Sequence, residues 1–282
     1  MMPVRDPGVP IPCGLRSTGL IHYIQVKSRH DNGSQKDMKT MIRQDPGPRR
    51  QNAIMLLARL PELQRSVPDE PYASLPWEEL DQLSVALLGD LAEVALGVPG
   101  ADVIVCCREA EKSHDLSQIF RDQIRTAFFP DAPVSATVAA MLEYASDLQY
   151  QRIILVLNPA PRRTSAEFQN MFARLNGEDE CIVLAATPDG YCSLLGLRST
   201  HRSIFQAGEG NLFEKPDGLL AHLCDQSVVL CPAPPDTLLN SGYMIARLRD
   251  QVADAGDDLP GYPKRTAAVF RQLDKKYRVR RP

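Results

Sequence analysis

Between Arg152 and Asn158 stand five consecutive aliphatic residues, Ile153 to Leu157, with no polar side chain to turn toward water. A strand this apolar must be covered on both faces, the condition of an interior strand in a parallel sheet flanked by helices. From residue 52 onward similar short runs recur at Ala53–Ala58, Asp102–Cys107, Cys181–Ala186 and Cys192–Leu197, with a weaker one at Ser227–Cys231. Helical patterns alternate with them. That alternation is the mark of βαβ units and predicts an α/β fold, a three-layer α/β/α arrangement around a mostly parallel sheet.

The intervening helices carry their own signals. Ser74, Pro76 and the acids Glu78 and Glu79 open one whose apolar positions Leu80, Leu83, Leu87, Leu91 and Val94 are expected on a single face, ending at Gly97. Trp77, beside that start, reads as a packing anchor. Ser113 is expected to cap a helix holding Leu116, Ile119, Phe120 and Ile124, and another follows with Val138, Met141, Leu142, Ala145 and Leu148. Thr164-Ser-Ala-Glu167 is a capping box for a helix through Phe168, Met171, Phe172 and Leu175 that stops at Asn176-Gly177. A last helix is expected over about 237–252. Residues 1–50 mix Pro, Gly, Ser and charges and are read as a flexible N-terminal extension; 51–255 form the folded domain and 256–282 a basic C-terminal tail.

Composition and charge restrict function. No run of about 18 apolar residues spans a bilayer and no compact signal peptide opens the chain, so a soluble, cytoplasmic protein is expected. The seven cysteines show no Cys-x-x-Cys spacing, and Cys106-Cys107 lie side by side where a strand sends them to opposite faces. Buried thiols are the expectation, rather than a zinc site or a disulfide scaffold. Net charge is −3, yet residues 1–51 carry +5 and 264–282 carry +7, which leaves −15 on the body between them. A body that acidic repels phosphate backbones and argues against nucleic-acid binding through the core. The basic end reads as a solvated tail or a strap over the acidic body, or else as an anchor to a protein partner.

In an open parallel sheet ligands bind beyond the carboxyl ends of the strands, where loops and helix N-termini converge. Here those segments are 59–70, 107–114, 158–164 and 187–191. After the first strand comes Ala58-Arg59-Leu60-Pro61-Glu62. After the fourth comes Asp189-Gly190-Tyr191-Cys192-Ser193-Leu194-Leu195-Gly196-Leu197, and Pro234-Pro235-Asp236-Thr237 precedes the last helix. In this order, over roughly residues 52–252, they resemble a glycosyltransferase-A-like, largely uncharacterised bacterial family of nucleotide-diphospho-sugar transferases, distantly related to molybdenum-cofactor guanylyltransferase and 2-phospho-lactate guanylyltransferase. The resemblance implies a nucleotide or nucleotide sugar as ligand, with Ala58, Arg59, Leu60, Asp189, Gly190 and Asp236 as candidate nucleotide-binding residues.

The departures from the family concern charge. Its basic Gly-Arg-Val-Lys-Thr-Arg loop is here Gln64-Arg65-Ser66-Val67-Pro68-Asp69: the lysine position falls on Val67, the threonine on Pro68 and the second arginine on Asp69, which brings in an anion. Its Ser-Asp-Ser-Pro metal stretch is here Asn158-Pro159-Ala160-Pro161-Arg162-Arg163, without a carboxylate. The family implies Mg²⁺ or Mn²⁺, whose oxygen ligands this loop lacks; no cofactor is therefore expected. Arg162 and Arg163, just before a helix N-terminus, are candidate anion-binding residues; alternatively they pair with acids of the body. Two readings follow: an eroded transferase site with a binding or interaction role, or an active transferase with a rebuilt, metal-independent site. No catalytic residue is assigned. His114, His201 and Ser193 have no sequence-evident catalytic partners, and no Walker or Gly-x-Gly-x-x-Gly loop occurs.

Overall fold

The computed structural model describes residues 51–58, 72, 75–108, 124–158, 163–177, 180–187, 190–205, 212–213, 217–235, 242–254 and 263–277. Among these residues seven strands form one sheet: β1 (Asn52–Ala58), β2 (Ala101–Arg108), β3 (Arg125–Phe129), β4 (Arg152–Val156), β5 (Cys181–Ala186), β6 (Cys192–Arg198) and β7 (Val229–Pro232). The helices are α1 (Trp77–Leu96), α2 (Val134–Asp147), α3 (Ser165–Gly177), α4 (Gly218–Cys224), α5 (Gly242–Asp254) and α6 (Lys264–Tyr277), with a 3₁₀ turn at Ser199–Phe205. The strand order is β3-β2-β1-β4-β6-β5-β7. All neighbours run parallel except β6, which is antiparallel to both β4 and β5. The expected mostly parallel sheet between helical layers is observed.

Its faces are packed as the apolar runs require. On one side Ala53, Met55, Leu57, Ile104 and Cys106 meet Val138, Met141 and Leu142 of α2 together with Leu219 and Leu223 of α4. On the other, Ile54, Leu56, Val103, Val105 and Cys107 meet Leu91 and Ala95 of α1 and Phe168 and Leu175 of α3. Cys106 and Cys107 do face opposite sides and are both fully buried. Burial pushes the Cys106 thiol well above its ordinary value, with the neighbouring Cys107 adding to it. The capping box is also present: Thr164 N–H donates to Glu167 Oε2 at 2.7 Å and Glu167 N–H to Thr164 Oγ1 at 3.2 Å.

Strand β3, at 125–129, is not foreseen by the sequence reading. The helix expected to hold Leu116, Ile119, Phe120 and Ile124 falls, apart from Ile124, on residues 109–123, which lie outside the described part, as does the extension 1–50; Ile124 stands just before β3 and is not helical. At five residues on the sheet's edge, half-exposed and preceded by a helix-like pattern, β3 gives little alternation to read. Trp77 is 60% exposed and anchors no packing. The apolar positions of α1 keep to one stripe, as expected, but the stripe has two sets of partners: Leu91 and Val94 pack with the sheet, while Leu80, Leu83 and Leu87 form a separate cluster with Ile245, Leu248 and Val252 of α5 and Ala267, Phe270 and Leu273 of α6. Helices α5 and α6 thus add a layer outside α1.

The segment expected as a basic tail is, over 264–277, a helix lying along α1. Asp90, in the fourth turn of α1, reaches its N-terminus. One carboxylate oxygen accepts from Arg265 N–H at 3.1 Å, and the other from Thr266 N–H at 2.9 Å and Thr266 Oγ1 at 2.8 Å. A buried carboxylate therefore acts as the N-cap of a helix distant in sequence, facing the positive end of its dipole. At the opposite end Glu79 accepts from Tyr277 Oη at 2.7 Å and pairs with Lys276. Tyr72 donates to Asp274 at 2.6 Å, packs against Phe270 and lies under the Arg249 guanidinium. Burial with the Asp274 bond holds the Tyr72 hydroxyl well above its usual range. No helix among the described residues is long and apolar enough to cross a membrane.

Asp90→Ala should lower unfolding stability by about 2 kcal/mol, combining a lost cap with unpaired buried donors at Thr266, and should raise amide exchange in α6 above that in α2. Burial alone would raise the Glu79 carboxyl, but the bonds from Lys276 and Tyr277 outweigh it and draw it below its ordinary value. Its contribution is therefore complete above the unfolded glutamate value of about 4.3 and is lost as pH falls through the lower folded value. The difference in Tm between wild type and Glu79→Gln should accordingly shrink toward zero as the pH is lowered below that range.

Candidate functional site

β1 connects through α1 to β2 on one side of it, whereas β4, its other neighbour, belongs to the part of the chain that continues through α3 to β5. Between β1 and β4 the direction of winding reverses, and at the carboxyl ends of such a pair the two loops diverge to leave a crevice. The described strand ends at this point are Ala58 on β1 and Leu157-Asn158 beyond β4, with Ala58 and Asn158 half-buried. The end of β4 is fixed by β6. Leu157 N–H and Asn158 N–H both donate to Ser193 carbonyl oxygen, at 2.8 and 3.2 Å. Ser193 itself is fully buried and its hydroxyl donates to the Ala185 carbonyl at 3.1 Å, so it serves the sheet.

Among the candidate residues the structure describes Ala58, Gly190 and Arg163; Arg59, Leu60, Arg162, Asp189 and Asp236 lie outside the described residues. Gly190 turns the chain from β5 into β6. Its N–H donates to Thr187 carbonyl at 2.9 Å, Thr187 N–H donates to Tyr191 carbonyl at 2.8 Å, and Tyr191 N–H to Thr187 Oγ1 at 3.1 Å. The φ of Gly190 is +85°, and an added Cβ would stand 2.8 Å from a carboxylate oxygen of Asp217. Asp217 N–H in turn donates to the Gly190 carbonyl at 2.8 Å. The sequence gives no sign of this partner, which starts α4 from a left-handed φ of 55° well along the chain.

Gly196 has a different reason to be glycine. On β6, between β4 and β5, a Cβ there would lie 3.1 Å from Val183 Cβ and 3.5 Å from Leu175 of α3, so its bareness lets the helix approach the sheet. Leu194, Leu195 and Leu197 around it are fully buried. Arg163 is 3% exposed and donates to the Pro234 carbonyl at 3.0 Å. It therefore ties the β4–α3 connection to the segment after β7 that leads to residue 236. Arg108, at the carboxyl end of β2, is a further half-buried cation on this edge that sequence reading did not single out. Among the described residues no three His, Cys, Asp or Glu side chains gather as a metal-binding group.

No family model matches the chain, and no curated protein matches it. Solved structures do. A protein from Desulfovibrio desulfuricans G20, provisionally assigned as a nucleotide-diphospho-sugar transferase, superposes with a TM-score of 0.63 at 15% identity, over 81% of this chain and 97% of its own. The fold is a nucleotide-diphospho-sugar transferase-like fold. A cytidylyltransferase from Leptospira borgpetersenii serovar Hardjo-bovis (TM-score 0.49, 10% identity, 81% of this chain and 95% of that one) superposes more loosely. So does a CMP:2-keto-3-deoxy-manno-octonic acid synthetase solved with CTP (0.48, 10%, 72% and 99%). The fold assignment rests on the first alone.

Gly190→Ala combines a positive φ with a close carboxylate and should lower stability by about 1–3 kcal/mol in urea denaturation. Gly177→Ala, where nothing lies within 4 Å of the added Cβ, should be neutral or stabilising.

Proposed function

We propose that this chain is a nucleotide-diphospho-sugar transferase-like protein whose phosphate and metal site has eroded, and that it acts by binding, through the crevice beyond β1 and β4, a nucleotide-sized ligand weakly or a protein partner. The observation that carries this reading is the division of labour among the residues shared with the family. Those with a packing or turn role, Gly190 and Gly196 with their buried leucines, stand in their places. The two loops that would meet a diphosphate have exchanged their chemistry: Val67, Pro68 and Asp69 after β1, and Asn158 followed by two arginines after β4.

A hard dication needs several oxygen ligands, preferably carboxylates. The stretch from Asn158 to Arg163 offers one amide and two guanidiniums, a donor set that does not fit Mg²⁺ or Mn²⁺, and no step is assigned to a metal. Arg163 supports the binding reading in another way. Buried and bonded to Pro234, it serves as a tether between the approach to α3 and the segment after β7.

Titration of the full chain with UDP-, GDP- and CTP-type ligands, with and without Mn²⁺, should give weak binding that the metal leaves unchanged and no turnover. Tight metal-dependent binding followed by turnover would overturn the proposal. Arg163→Ala should lower the urea midpoint as well as any anion binding, because its backbone bond to Pro234 is lost. An Arg163→Ala protein of unchanged stability would remove the tether.

A further inference from the structure

At the far edge of the sheet, among the described residues, strand β7 pairs only with β5, in parallel, with Cys181 opposite Val229 and Val183 opposite Cys231. Alternation along the strands puts Cys181 and Cys231 on the same face, offset diagonally, and both belong to the packing beneath α3. Their side chains lean toward each other until the sulfurs are 2.7 Å apart. Two sulfur atoms in ordinary contact stand farther apart than this, and a disulfide closes at about 2.05 Å. Neither cysteine is disulfide-bonded in this structure.

We propose that Cys181 and Cys231 are a reversible dithiol–disulfide pair that, when oxidised, locks the edge strand β7 onto β5. Cys181 is fully buried and Cys231 half-buried, which sets the order of events with a low-molecular-weight disulfide such as oxidised glutathione. The Cys231 thiolate attacks one glutathione sulfur, forming a mixed disulfide and releasing one glutathione thiolate, which takes up the proton. The Cys181 thiolate then attacks the Cys231 sulfur and expels the second glutathione. Two protein thiols are oxidised to one disulfide while the oxidant is reduced to two thiols.

The register gives this bond a conformational effect. Two residues of rise along the strand and one strand spacing across would separate the Cα atoms by roughly 8 Å in a flat sheet. A relaxed disulfide spans about 4.4–6.8 Å, so closure draws β7 along β5, a movement open to a four-residue edge strand with one strand neighbour. Directly beyond Cys231 the chain passes through Pro232 and Pro234, which the arginines of α3 and its approach hold by their carbonyls: Arg174 bonds Pro232 and Arg163 bonds Pro234, each at 3.0 Å. Oxidation therefore repositions the connection leading to Asp236. That consequence for the site rests on the reading under Proposed function; the bond itself does not.

The full-length protein, incubated with oxidised glutathione, should lose two hydrogens in intact mass without retaining glutathione on this pair. Proteolytic mapping should recover the Cys181 and Cys231 peptides cross-linked, and dithiothreitol should restore both. In Cys231→Ser the cross-link should vanish, while exposed Cys224 still forms its glutathione adduct. Recovery of Cys181 as an alkylatable thiol after oxidation and denaturation, with Cys231 carrying glutathione, would overturn the proposal. So would a cross-link joining Cys231 to a different cysteine. Because the readout is covalent mass, a failure of nucleotide binding leaves its outcome unaffected.

Discussion

A helix whose apolar stripe has two sets of partners must be covered twice, and α1 is such a helix. Leu91, Ala92 and Ala95 close the sheet while Leu80, Leu83 and Leu87 would face water if α5 and α6 were not laid over them. Each large side chain so covered is worth about 1.5–3 kcal/mol of burial, so the outer layer is part of the domain's core. The polar contacts then fix its alignment. Asp90 seizes the start of α6 and Glu79 its end, which sets the helix antiparallel to α1 and determines which of its faces carries Phe270 and Leu273 inward.

This arrangement changes what the positive charge of the C-terminal segment signifies. Of its basic residues, Lys276 and Arg265 are engaged by Glu79 and by Asp90 with Glu93. The acidic body and the basic end thus meet within one packed layer, as the strap reading has it, with the ion pairs riding on an apolar seam. Exposed pairs of this kind contribute little individually; the buried Asp90 cap contributes more because its acceptors replace water for otherwise stranded N–H groups. Removing 264–282 would consequently strip cover from Leu80, Leu83 and Leu87, and a partner lost on truncation would report unfolding as readily as a lost anchor.

The parts of the fold legible in the sequence are those whose burial is periodic. The runs at 53–58, 152–157 and 181–186 are apolar because both their faces are covered, and the Thr164–Glu167 box fixes the start of α3 by local hydrogen bonds alone. What was illegible depended on partners. β3 is short and lies on an edge, so its pattern is faint. The α1 leucines keep to one stripe, but nothing local says that a second layer shares it. In α6 the spacing of Ala267, Phe270 and Leu273 was a helical signal, overshadowed by the eight basic residues of 264–282. At this edge of the sheet the sequence located the strand ends and the turn at Gly190, but not Asp217, whose contact with Gly190 is made only once α4 has packed.

The same reasoning bears on how much chemistry a resemblance can carry. The matched positions that the structure describes are answerable to geometry: Gly190 to a φ that side chains avoid, Gly196 to the approach of α3, and Leu194, Leu195 and Leu197 to complete burial. Any sequence adopting this sheet order with an antiparallel β6 between β4 and β5 meets those demands, whether or not it transfers a group. The positions that would separate a transferase from a binding protein are the charges facing the crevice, because a diphosphate is held by countercharge and not by shape alone. In sequence, the stretch after β1 carries Val67, Pro68 and Asp69, and the stretch after β4 carries Asn158 and two arginines, of which Arg163 is bonded to Pro234. A scaffold that answers to geometry in this way is common ground between a transferase and a binding protein, so the likeness in fold assigns neither role.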